Sequence, residues 1–133
     1  MKTLDDARAM GIELTRATEE LNVKLKEVEV QLIASNLGVS VSVPLEGLDV
    51  KGSLLVFKKH GVVGNVVWGL YVFNPNAGTT PLLSASRQQR VAAANVLPAL
   101  IEQLCASVDQ NRCDVKQAII KVDEMIVVLK AAL

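Results

Sequence analysis

Apolar positions along this chain recur first at helical spacing, then at strand spacing, then at helical spacing again. Leu14, Leu21, Leu25, Val28 and Leu32 fall seven, four, three and four residues apart, which holds one stripe in line along a helix. Thr3 and Asp6 form a capping box with Asp in place of Glu, so the helix opens near Leu4. It should stop at Ser35 or Asn36, since Gly38 can turn left-handed and alternation follows at once. Val39, Val41 and Val43 alternate with Ser40 and Ser42, the pattern of a half-buried strand closed by Pro44.

Lys51 to Phe73 holds all four aromatic residues and the single His, and reads as a β-hairpin. One arm is Leu54 to Phe57 and the other Val66 to Phe73. Gly64-Asn65, flanked by Val63 and Val66, predicts a type II′ turn and makes Gly61 a bulge or close-approach site. The two-residue period puts Trp68, Leu70 and Val72 on one face and Val67, Tyr71 and Phe73 on the other, so both faces are apolar and the second needs a cover.

Asn74 to Pro81 has the composition of a surface loop. Ser86 with Gln89 then caps a helix in which Ala94, Leu97, Ile101, Leu104 and Val108 repeat at threes and fours. Pro98 should kink or divide that helix near Asn95, and the polar run Asp109 to Arg112 should end it. Asp114 with Gln117 would cap a last helix carrying Val115, Ile119, Val122, Ile126, Leu129 and Leu133. The order predicts a single α+β domain over 1–133: a long N-terminal helix, a three-stranded antiparallel meander, and two or three C-terminal helices packed on the sheet.

Composition narrows the function classes. Half of the 133 residues are apolar and only 3% aromatic, so the core must be built mainly of Val, Leu, Ile and Ala. Fourteen basic residues balance fourteen acidic ones, which removes the positive field that drives nonspecific nucleic-acid binding. The start lacks the apolar centre of a secretory signal, and no apolar run approaches the ~18 residues of a membrane span, so the chain reads as cytoplasmic, without a membrane or nucleic-acid partner. Cys105 and Cys113 match no zinc or redox spacing and read as reduced structural thiols.

Catalytic patterns are missing. His60 is the only imidazole, neither Ser84 nor Ser86 lies in a nucleophile elbow, and Gly61-x-x-Gly64 lacks the Lys-Ser of a phosphate loop. No metal-ligand spacing or cofactor motif occurs, and the acidic pair Asp123-Glu124 reads as a solvated helix face. Two binding candidates stand out. Lys58, Lys59 and His60 beside Trp68 and Tyr71 combine cations with aromatic rings, although Trp and Tyr serve cores as readily. Arg87 and Arg90 lie in the first turns of a helix, where the dipole opposes positive charge, which suits an acidic partner.

The expected function is a noncatalytic interaction or oligomerisation module, a homodimer or protein-binding unit that buries the spare hairpin face or edge, with Tyr71 and Phe73 on one face and Trp68 on the other. The alternative is a small-molecule-binding protein or minor enzyme with a pocket between hairpin and helices, walled by Trp68 and Tyr71.

Overall fold

A computed structural model describes residues 1–62 and 64–133. Helix α1 spans Leu4–Ala34, strands β1 to β4 span Val41–Pro44, Leu54–Val62, Asn65–Asn74 and Gly78–Pro81, a 3-10 turn covers Leu82–Ser84, and helix α2 spans Arg87–Ala132. The class is α+β, with an antiparallel sheet in the order β1-β2-β3-β4 and one long helix before it and one after it in the chain.

Both capping boxes form. The Thr3 amide donates to Asp6 Oδ2 at 2.8 Å while the Asp6 amide donates to Thr3 Oγ1 at 3.3 Å, and Ser86 and Gln89 exchange the same pair of bonds. Each box satisfies two of the orphan donors at a helix start. At the other end of α1, Ser35 is the C-cap and Asn36 already takes a left-handed φ of 51°, two residues before Gly38 does so.

The sheet departs from the predicted meander in three places. First, the region read as a loop contains β4. Ala77 donates to the Asn74 carbonyl, Asn76 donates to Asn74 Oδ1, and Gly78 turns the chain at φ 83°, so a three-residue connection returns Gly78 opposite Asn74. Second, β2 and β3 pair Val62 with Asn65, so Asn65 belongs to the ladder and not to a Gly64-Asn65 turn; Val63 lies outside the described residues. Each predicted partner therefore moves by two residues, which preserves the faces because the strand period is two. Third, Gly61 pairs with Val66 in an uninterrupted ladder and is not a bulge.

The predicted two or three C-terminal helices are one. Helix α2 runs through Pro98 and through Asp109 to Arg112 for 46 residues, about 69 Å at 1.5 Å per residue. Pro98 deletes a single helix donor on an exposed side, while Ala92, Ala93, Leu100 and Leu104 hold the turns around it on the sheet. The run 109–112 continues because its polar groups bond along the helix: Asn111 Nδ2 donates to the Ser107 carbonyl, Gln110 to Asp114 Oδ1, and Arg112 pairs with Asp109.

One face of the sheet carries the core. Val43, Leu55, Phe57, Leu70 and Val72 are buried there with Leu25 and Leu32 of α1 and Ala92, Ala93, Leu100 and Leu104 of α2. Both helices thus lie on the same face, running the same way: Asn22 meets Arg90, and Leu32 shares a groove with Ile101 and Leu104. The buried positions of these five elements belong to one cluster.

Neither helix is used along its whole length. In α1 only the second half of the leucine stripe is covered, Leu25 and Leu32 being buried while Leu14 is exposed. In α2 every residue from 111 onward is exposed.

Candidate functional site

The strand period divides the predicted basic and aromatic group between two faces. On the helix-covered face Lys59 lies opposite Trp68, with Nζ 5.4 Å from the indole centroid, and Trp68 stacks on Phe57 at 5.2 Å and 24°. On the open face the His60 ring lies 5.1 Å from Tyr71, and Lys58 Nζ stands 5.9 Å from the same phenol ring. Cation–aromatic contacts of this kind are worth about 0.5–1 kcal/mol where solvent reaches them. The two sets are back to back, so no single surface presents Lys58, Lys59, His60, Trp68 and Tyr71 together. A pocket walled by both Trp68 and Tyr71 would need them on one face.

Tyr71 is tied to α1 through a residue that the periodicity did not single out. Strand β4 ends opposite Tyr71, so the buried Leu70 lies beyond it, and its amide donates instead to Glu29 Oε2 at 2.9 Å. Glu29 Oε1 accepts from Lys26 Nζ at 3.1 Å. Gly69 is buried between these groups. A methyl group there would stand 3.2 Å from the Tyr71 ring and hydroxyl and 3.3 Å from Glu29 Oε2. Tyr71 therefore leans over Gly69 and covers the backbone the glycine leaves bare. Burial first, and the Glu29 carboxylate second, raise the Tyr71 phenol above its ordinary value of 10.0. The arrangement locks helix to sheet.

Phe73 sits at the far end of the open face, opposite Leu54 and Thr79, and is exposed. Arg90 donates to Asn22 Oδ1 across the helix pair, so its partner is an amide, and its buried Nε has no hydrogen-bond partner among the described residues. Arg87 is exposed beside a cavity of about 440 Å³ that also involves Glu46 and Asp49, without an ion pair among the described residues. Asp123 and Glu124 are on a solvated helix face, and no His, Cys, Asp and Glu group with metal-holding geometry occurs among the described residues. Cys105 and Cys113 are free thiols, and both are exposed.

A long unpartnered apolar stripe lies on α2. Val115, Ile119, Val122 and Leu129 are all more than half exposed, and Ile126 is 41% exposed. At the root of this free segment lies an apolar groove of about 550 Å³ between the end of α1 and α2, lined by Leu32, Leu37, Ile101, Leu104, Cys105 and Val108 among others. Its α2 wall supplies Ile101, Cys105 and Val108, at the same three- and four-residue steps as the tail beyond, so groove and stripe are continuous.

Helix α2 is also long and apolar enough to cross a membrane by length and composition, contrary to the reading that no apolar run approaches a span. Only 22% of its qualifying 18-residue stretch is buried, which is four residues. The helix has just four buried residues, Ala92, Ala93, Leu100 and Leu104. The stretch therefore includes the part of α2 that lies on the sheet.

Fold and site together define a two-layer α+β body from which one apolar-striped helix extends. Comparison with protein-family models, curated proteins and solved structures finds no match for the chain.

Proposed function

We propose that this protein is a noncatalytic self-association module, a homodimer joined through the second half of α2. The observation that carries the reading is the exposure of every residue from 111 to 132 in a helix whose apolar positions keep a three- and four-residue repeat. Most helical stability in proteins comes from packing an apolar face, and this segment packs on nothing in its own chain. A partner for that face supplies the missing burial. The interface thus moves from the hairpin, where it was expected, to the helix. On the open sheet face Leu54, Val56 and Tyr71 are already half-buried among Lys58 and their neighbours.

Replacing Ile119 and Ile126 together by Asp tests the reading, since both side chains are exposed in the single chain and their loss leaves the core intact. Light scattering should give twice 14.3 kDa for the wild-type chain across about a hundredfold dilution in the micromolar range, and 14.3 kDa for the double variant. A wild-type chain that stays at 14.3 kDa throughout would refute it.

A further inference from the structure

Resting on that reading, we infer that the occupant of the α2 stripe is the same segment of a second copy, running antiparallel, in one register selected by charge. Written as heptads, α2 places Arg112, Ile119, Ile126 and Leu133 at position a and Val108, Val115, Val122 and Leu129 at position d. The flanking e positions are Asp109, Lys116, Asp123 and Lys130, alternating in sign, and the g positions are Asn111, Ala118, Met125 and Ala132, all uncharged.

A parallel pair would be poorly specified by this pattern. It would stack Arg112 on the partner's Arg112 at a central position. Its g-to-e contacts would join uncharged groups to charges, so no complementary pair would form across the seam.

An antiparallel pair sets a against d and e against e. The register that places Ile119 against the partner's Val122 also places Val115 against the partner's Ile126, Arg112 against the partner's Leu129, and Val108 against the partner's Leu133. It brings Asp109 alongside the partner's Lys130 and Lys116 alongside the partner's Asp123, each twice by symmetry. A slip of one heptad in one direction sets Lys116 on the partner's Lys116 and Asp109 on the partner's Asp123. A slip in the other direction sets Asp123 on the partner's Asp123 and Lys116 on the partner's Lys130. Of these three registers only the central one is free of like-charge pairs, and it sets the small Ala118 beside the partner's large Met125 on the uncharged flank.

Geometry agrees with charge. Val108 and Leu133 are 25 residues apart, about 38 Å along the helix, so the two α+β bodies stand at opposite ends without colliding. The end of each tail reaches the groove of the other chain, where Leu32 and Leu37 supply a second apolar wall.

Directed cross-linking separates this inference from the reading beneath it. In a chain with Cys105 and Cys113 changed to Ser, Val115→Cys alone should not cross-link on mild oxidation. Its twin would lie 11 residues away, about 16 Å, beyond the ~7 Å limit between Cα atoms in a disulfide. Mixing Val115→Cys chains with Ile126→Cys chains should give a cross-linked heterodimer. Independently, Lys116→Glu should weaken association roughly tenfold by setting like charges together twice per dimer, and adding Asp123→Lys in the same chain should restore it. A dimer in which Val115→Cys cross-links to itself and not to Ile126→Cys would overturn the antiparallel inference while self-association stands. Failure of Asp123→Lys to restore the Lys116→Glu dimer would overturn the register. A wild-type monomer at every concentration removes both.

Discussion

Glu29→Ala should be far more costly than the position of Glu29 on a helix surface suggests. Its side chain is only 15% exposed, and Oε2 receives the amide of Leu70, itself 1% exposed, at 2.9 Å. No strand partner can replace that acceptor, because β4 stops opposite Tyr71. A hydrogen bond to a charged acceptor is worth about 1.5–3 kcal/mol, and an orphaned buried donor costs about 1–3 kcal/mol. These describe the same loss seen from two sides and are not added. The Lys26 contact contributes at most about 0.5 kcal/mol, since Lys26 is 57% exposed. The expected total is about 2–3 kcal/mol, or roughly 6–12 °C in melting temperature for a chain of this size.

Glu29→Gln keeps a carbonyl for the Leu70 amide and should cost less than about 1 kcal/mol, and Lys26→Ala should cost less than about 0.5 kcal/mol. Urea unfolding followed by the single Trp68 measures all three variants on one scale. If Glu29→Ala and Lys26→Ala were equally mild, the Leu70 contact would carry no stability and the account of the helix–sheet lock would be wrong.

Tyr71 is the only tyrosine, so its phenolate absorbance titrates one group; its midpoint should lie above 10.0, and Glu29→Gln should lower it without abolishing the shift, because burial is the larger cause. Since folding favours the neutral phenol, the associated stability is fully present below the unfolded-state value near 10 and is lost as pH rises through the folded one, and an equal midpoint in folded and unfolded chains would contradict this. Pro98→Ala should raise the melting temperature by an amount equivalent to about 1–3 kcal/mol, because the helix already runs through this exposed position and gains a donor; a loss of stability would mean that the proline shapes α2 against the sheet.

Local chemistry was legible wherever a few neighbouring residues decide the conformation. Thr3 with Asp6 and Ser86 with Gln89 announced both helix starts, and the alternation from Val39 to Val43 announced β1. The division of Trp68 and Tyr71 between faces followed from the strand period alone. The turn was misplaced by one residue because Gly64 satisfies a turn at either loop position, and only the ladder to β2 chooses between them. β4 was hidden for a related reason: Thr79 and Thr80 are too few to form a pattern, and become a strand only because the turn at Asn74 returns them to β3.

Pro98 and the polar run at 109–112 looked like breaks because propensity counts each residue separately, whereas packing of Ala92, Ala93, Leu100 and Leu104 sets the course of the whole helix. Glu29 as the lock between α1 and β3 was beyond any local pattern, since its partner is 41 residues away. The sequence by itself therefore determined the two helix starts with their caps, the first three strands and the faces of those strands, all matters of contacts within a few residues. The tertiary structure alone decided which apolar stripes are buried. The sheet face has room for the facing stretches of α1 and α2 and no more, and that limit leaves the last turns of α2 without a neighbour in their own chain.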